Sequence, residues 1–133
     1  MEDTIEQTDC LVNVGLQERL VLPTTVEFDA RIDLYFNNSA KLKPACILMP
    51  QITIEVAIAI KALVSAKQKF AIRSGGSNFW PSNNVDGAVT IDLGHMNATE
   101  YDPKNEIVMI GAGVLAGQVR LFTTDILDAC PTN

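Results

Sequence analysis

From Pro44 onward the apolar positions fall into short blocks whose period changes along the chain. Cys46-Ile47-Leu48-Met49 is continuous and closed by Pro50, which predicts a short buried strand. Across Thr53 to Lys67 the spacing becomes helical: Val56, Ile60, Leu63 and Val64 recur on one face among good helix formers, with Thr53 placed to cap the start. Lys69 to Ile72 returns to strand character. Strand, helix and strand together predict a βαβ unit with a right-handed crossover. After the turn signal Asp86-Gly87, Val89, Ile91 and Leu93 alternate with Thr90 and Asp92, the pattern of a strand with two distinct faces. Tyr101 to Asn105 reads as a second turn, Glu106 to Ile110 as a strand, and Leu115, Val119, Phe122 and Ile126 as the inner face of a last helix. Upstream the signal is weaker. Cys10 to Leu22 predicts a short helix with Leu11, Val14 and Leu22 inward, Val26 to Phe36 is mixed, and Asn37-Asn38-Ser39 is a loop. The class is α+β with an α/β-type βαβ start.

Composition narrows the partners. At 133 residues the chain is one domain with room for a core, and its net charge of −6 disfavours nucleic acid, which selects a basic face. No apolar run approaches the ~20 residues of a membrane span, and Met1-Glu2-Asp3 lacks the basic start of a signal peptide. A cytoplasmic product is the default expectation. Asn37-Asn38-Ser39 and Asn97-Ala98-Thr99 fit the glycosylation triplet but are expected to be unused. Cys10, Cys46 and Cys130 have no paired spacing and read as ordinary thiols. With one histidine, no metal site is expected.

The candidate chemistry lies in Arg73-Ser74-Gly75-Gly76-Ser77-Asn78, directly after a predicted buried strand. Two adjacent glycines allow positive φ, so successive amides can converge on an anion, and their missing side chains admit a phosphate to the backbone. Arg73 would add a charged fork at the entrance, with Ser74, Ser77 and Asn78 as further donors. A bare Gly-Gly after a strand is more often a tight turn without a ligand. Other residues read more plainly: His95 as a solvated loop histidine, Phe79-Trp80 as packing under a loop, and Asp92 as a carboxylate that stabilises the following turn. Gly111-Ala112-Gly113-Val114-Leu115-Ala116-Gly117 follows a strand and precedes a helix, as a dinucleotide fingerprint does, but its third glycine comes one step late.

The order of segments tips the balance toward a ligand. Pro44-Ala45-Cys46-Ile47, Pro50, Glu55-Val56 and Phe70-Ala71-Ile72-Arg73-Ser74-Gly75-Gly76-Ser77 are followed by Asp86-Gly87-Ala88-Val89-Thr90-Ile91-Asp92-Leu93, Met96-Asn97 and Gly111-Ala112-Gly113. This succession resembles the PCMH-type FAD-binding domain of the vanillyl-alcohol oxidase and berberine-bridge enzyme superfamily, in its fungal FAD-linked form. The resemblance runs from about Ala30 to Val119. It implies the N-terminal half of such a domain over 44–120, a lead-in with short helices over 1–43 and a diverged tail over 121–133.

By the same resemblance FAD is the cofactor. Arg73, Ser74, Gly75, Gly76, Ser77 and Asn78 would contact its pyrophosphate, Gly111 and Gly113 would lie against it, and Pro50 would sit near the adenine side. Many members carry histidine after the glycine pair and attach it to the flavin. Ser77 has no imidazole nitrogen, so FAD would be held non-covalently. Phe79-Trp80-Pro81-Ser82 lacks the family's glycine turn, and Ile52 replaces a polar helix cap. The substrate domain of the family has no counterpart here, so no catalytic residue is assigned and a second polypeptide supplying that domain is one expectation. The implied activity is flavin-dependent oxidation of a small molecule in fungal secondary metabolism. The alternatives are a non-catalytic remnant that binds a nucleotide or a protein, and a small nicotinamide-dinucleotide-binding domain.

Overall fold

The structure is a computed structural model that describes residues 2–78 and 80–129. The elements run α1 (Glu2–Val12), β1 (Leu20–Val21), α2 (Val26–Asp33), β2 (Cys46–Leu48), α3 (Thr53–Ser65), β3 (Phe70–Arg73), β4 (Val89–Asp92), β5 (Thr99–Asp102), β6 (Ile107–Ile110) and α4 (Ala116–Ala129). Four strands form one sheet in the order β1-β2-β4-β3, with β1 antiparallel to β2 and the other pairs parallel. The strand–helix–strand unit is therefore split: β4 lies between β2 and β3 and pairs with both. β5 and β6 form a separate antiparallel hairpin.

Register explains what each face buries. Cys46 and Leu48 pair with Val89 and Ile91, and these four join Leu11 and Leu16 with Ala59 and Leu63 of α3 in one core cluster. The opposite face carries Ile47 and Met49, which pack on Val21 and on Phe28 of α2. Two strands flank β4, so all four of its residues are buried, Thr90 and Asp92 included. Its alternation is real, but the polar positions face a second packed layer instead of water. Thr90 is satisfied there by donating to the side chain of buried Asn84 (2.8 Å), which itself donates to the Ala40 and Leu42 carbonyls. A middle strand in a parallel sheet has no solvent face.

Several local expectations are corrected. α1 stops at Val12 and Gly15 reverses the chain at φ +83°, so Val14 and Leu22 are exposed while Leu16 and Val21 turn inward. The mixed stretch is a helix, capped by Thr25, whose hydroxyl accepts from the Phe28 amide. The cap of α3 falls on Ile52, not Thr53. Glu55 compensates by accepting from the Gln51 amide (2.7 Å) and from Arg19. Its pKa is lowered mainly by that backbone hydrogen bond. In α3 the deep contacts come from Ala59 and Leu63, whereas Val64 faces water. The expected turn over Tyr101 to Asn105 is present over 103–106, after Tyr101 and Asp102 finish strand β5, with Glu106 at φ +56°. Cys46 is fully buried, with its thiol pushed up to about 12 by burial, and both Cys46 and Cys10 are free. Cys130, Phe79 and the end of the tail lie outside the described residues.

Two neighbouring substitutions separate these roles. Leu63→Ala opens a cavity in the main cluster and is expected to cost about 2–5 kcal/mol in urea denaturation. Val64→Ala, one residue on, is expected to change stability by less than about 0.5 kcal/mol.

Candidate functional site

β3 and β4 end side by side, and their register sets Arg73 against Asp92 at the C-terminal edge of the sheet. Such edges are where open α/β sheets place ligands. The last turn of α2 brings Arg31 onto the same carboxylate from 61 residues away: Nε donates to Oδ2 at 2.9 Å and Nη2 to Oδ1 at 2.8 Å. Oδ1 also accepts from the Gly94 amide at 2.9 Å, which starts the tight turn over Leu93–His95. Arg73 Nη1 stands 3.4 Å from Oδ2 and donates to the Arg31 carbonyl, while the Tyr35 ring covers its guanidinium at 4.0 Å. Two guanidiniums meet one carboxylate. The cluster carries a formal surplus of one positive charge, and Arg73 and Asp92 within it are almost wholly shielded from water.

Arg73 is therefore not the free fork expected at the loop entrance. It is 2% exposed, and burial lowers its pKa against the opposing pull of Asp92. Its Nε is buried without a hydrogen-bond partner among the described residues. The loop is wrapped over it. A Cβ on Gly76, which sits at φ +72°, would lie 2.9 Å from that Nε, and a Cβ on Gly75 would lie 3.2 Å from Leu115 Cδ2. The Gly76 carbonyl is occupied by the Phe36 amide. The amides of Gly75, Gly76 and Ser77 donate to nothing among the described residues. Ser77 and Asn78 are exposed, and the Asn78 side chain shapes its own loop through Ser82 and the Trp80 amide.

The second glycine turn approaches from the other side. Ser74 Oγ donates to the Ala112 carbonyl, joining the two loops. Gly113 borders the resulting cleft of about 200 Å³ together with Arg31, Arg73, Ser74, Gly75 and Gln118. Gly111 does not border it. Both glycines are required by a backbone crossing: a Cβ on Gly111 would strike the Met96 carbonyl and one on Gly113 the Leu93 carbonyl. Their amides donate to Ala98 and Met96, so this turn offers no free dinucleotide fingerprint. Its strand, β6, also lies outside the parallel sheet. Pro50 is fully buried after β2 and does not line the cleft.

Among the other sequence candidates, His95 is exposed and borders a separate hollow with Glu18, Arg19 and Glu27. Trp80 is 76% exposed, which corrects the expectation that it packs beneath a loop. Sequence reasoning missed Arg31 and Tyr35. The spacing Phe28, Ile32, Tyr35 was the available signal, since it marks one helical face that continues just past α2. Asp92 does stabilise the turn after it, as expected, but it is also the buried anchor of two arginines.

With this geometry in place, comparison with known proteins is informative. Residues 44–125 match the family described as FAD binding domain, and the chain belongs to that family, in its PCMH-type form. It is 30% identical over 120 residues to the FAD-dependent monooxygenase sdcF of Emericella nidulans, covering 87% of this chain and 25% of that protein. It is 34% identical over 107 residues to the bifunctional solanapyrone synthase of Alternaria solani, covering 79% and 21%. The chain thus spans about a quarter of the length of these curated relatives. The solved structure of Physcomitrella patens BBE-like 1 superposes with a TM-score of 0.76 at 20% identity, covering 90% of this chain and 26% of that one, a likeness of fold. The expected mixed fold of part of an FAD-binding domain holds.

Tyr35 supplies a pH test of the cluster. Its hydroxyl donates to the Asn83 carbonyl at 2.8 Å, and burial raises its pKa to about 12. The unfolded chain ionises near pH 10 while the fold retains the proton, so this contribution is complete below about pH 10 and is lost as pH rises towards 12. Tyr35→Phe is expected to cost about 0.5–1.5 kcal/mol near neutral pH. Above about pH 10 its loss of stability is expected to be shallower than that of the parent protein, measured by denaturant titration at each pH.

Proposed function

We propose that the cleft holds the diphosphate of FAD non-covalently and that the chain serves flavin-dependent oxidation of a small molecule, in the setting of fungal secondary metabolism. One observation carries the reading: the amides of Gly75, Gly76 and Ser77 donate to nothing among the described residues, in a loop wrapped over buried Arg73, whose cluster with Asp92 and the partly exposed Arg31 has one surplus positive charge. A diphosphate supplies the acceptors and the charge that this arrangement lacks. Gln118 in the first turn of α4 borders the same space, with Gly113 and Leu115 just before the helix, and a helix N-terminus favours an anion. At about 200 Å³ the cleft is below the roughly 300–1,000 Å³ of whole-ligand pockets. It suits the diphosphate and leaves both ends of FAD to surfaces beyond it.

When bound, FAD accepts the hydride or electrons taken from substrate. This chain's own contribution is to fix and neutralise the diphosphate. Ser77, placed where many relatives of the family carry the attaching histidine, has only a hydroxyl to offer, which supports a dissociable flavin. The substrate side would come from elsewhere in the assembly. Ile107, Met109 and Ile110 of the hairpin are half or more exposed, which supports a second polypeptide covering that strand. The nicotinamide reading has less support because the Gly111 and Gly113 amides are already paired.

Thermal unfolding tests the reading. FAD at about 100 times its dissociation constant would stabilise the native state by about 2.7 kcal/mol and raise the melting temperature. Riboflavin, which lacks phosphate, and NAD are expected to stabilise less, and acid precipitation is expected to release the flavin into solution. Stabilisation by NAD alone, or flavin retained on the precipitate, would contradict it.

A further inference from the structure

We infer that Arg31, carried by α2 and outside the 44–125 stretch that matches the family, is the cation that meets the diphosphate, with Arg73 acting beneath it as a positioning residue. The inference rests on the reading of the cleft as an FAD diphosphate site and assigns its charge to a particular side chain.

The two arginines differ in what they have left to give. Arg73 has its Nη1 engaged with Asp92 and with the Arg31 carbonyl, its ring-facing side covered by Tyr35, and its Nε turned to the underside of Gly76. Its side chain is 3% exposed. It supports the loop from below, and where it borders the cleft it presents almost none of its side chain. Arg31 is 20% exposed in its side chain and borders the cleft directly. Nε and Nη2 are fixed on the two oxygens of Asp92, while Nη1 donates to nothing among the described residues.

This grip makes Arg31 a prepared ligand. The two parallel bonds to Asp92 lock the guanidinium plane, so little side-chain entropy remains to be lost on binding. Gly94 completes the seat, since a Cβ there would collide with Arg31 Nη2 and Cζ. Asp92 already accepts from Arg31 and Gly94 and is ion-paired with Arg73, so it neutralises only part of the positive charge and has little capacity left to repel an incoming anion. Arg31 and Gly75, whose amide donates to nothing among the described residues, border one cleft. A group with several charged oxygens would engage both, which selects a diphosphate over a single carboxylate. The glycine loop supplies shape, and α2 supplies charge.

Inorganic pyrophosphate is the probe. Titration calorimetry on the full chain is expected to show binding that weakens about 10- to 100-fold in Arg31→Gln, as for loss of a charge-assisted hydrogen bond, and less in Arg31→Lys. The slope of affinity against salt is expected to flatten in Arg31→Gln, while riboflavin binding changes little, a difference that a merely structural role would not produce. If Arg31→Gln does not fold, arginine-specific dicarbonyl labelling of the unsubstituted protein gives the answer: pyrophosphate is expected to slow labelling of Arg31. Unchanged affinity in both folded variants, or unchanged labelling of Arg31 by a pyrophosphate that binds, would overturn the assignment and leave the FAD reading intact. Failure of the unsubstituted protein to bind either pyrophosphate or FAD would overturn both.

Discussion

Asp92 is a fully buried carboxylate between two guanidiniums, and the cradle above the sheet depends on that contact. It fixes Arg31 at the end of α2, receives Arg73 from the neighbouring strand, and starts the turn at Gly94. Removing one partner from a buried ion pair costs about 3–5 kcal/mol because the remaining charge is stranded. Here the same contact ties together α2, β3, β4 and the segment that underlies the second glycine turn. The surplus charge has a burial cost that the fold only partly offsets with Tyr35 and Asp92. A bound anion would offset more of it, so folding and binding depend on one electrostatic cluster.

The two glycine motifs take different roles once their neighbours are known. Gly76 is needed because its backbone lies on Arg73 at positive φ, and the amides around it donate to nothing among the described residues. Gly111 and Gly113 are needed because one stretch of backbone lies against another, and their amides are spent there. Glycine in sequence shows that a side chain is excluded. Only packing shows whether the excluded volume belongs to a ligand or to the protein itself.

Much of the sheet was legible because its segments are locally patterned. Cys46–Leu48 is a short continuous apolar run closed by Pro50, and Thr53–Ser65 and Ala116–Ala129 carry a helix period over their own length. What was not legible is set by partners distant in the chain. Nothing local shows that β4 inserts between β2 and β3, and that insertion buries Thr90 and Asp92 along with the apolar face. β5 has no apolar alternation and exists through its pairing with β6. The site divided the same way. The loop from Arg73 to Asn78 stands out as a motif, whereas Arg31 lies in a stretch with too short an apolar pattern to fix its face, and its role depends on a contact 61 residues away.

The central claim is that the Gly75–Ser77 amides, which donate to nothing among the described residues, await a diphosphate beside the Arg31–Asp92–Arg73 cluster. Hydrogen exchange followed by mass spectrometry, with and without FAD, addresses it at those backbone groups. The account predicts fast exchange across residues 74–78 in the free protein and marked slowing on FAD addition, with little change in the β5–β6 hairpin. Slow exchange at that loop before FAD is added, or protection by FAD confined to other segments, would contradict it.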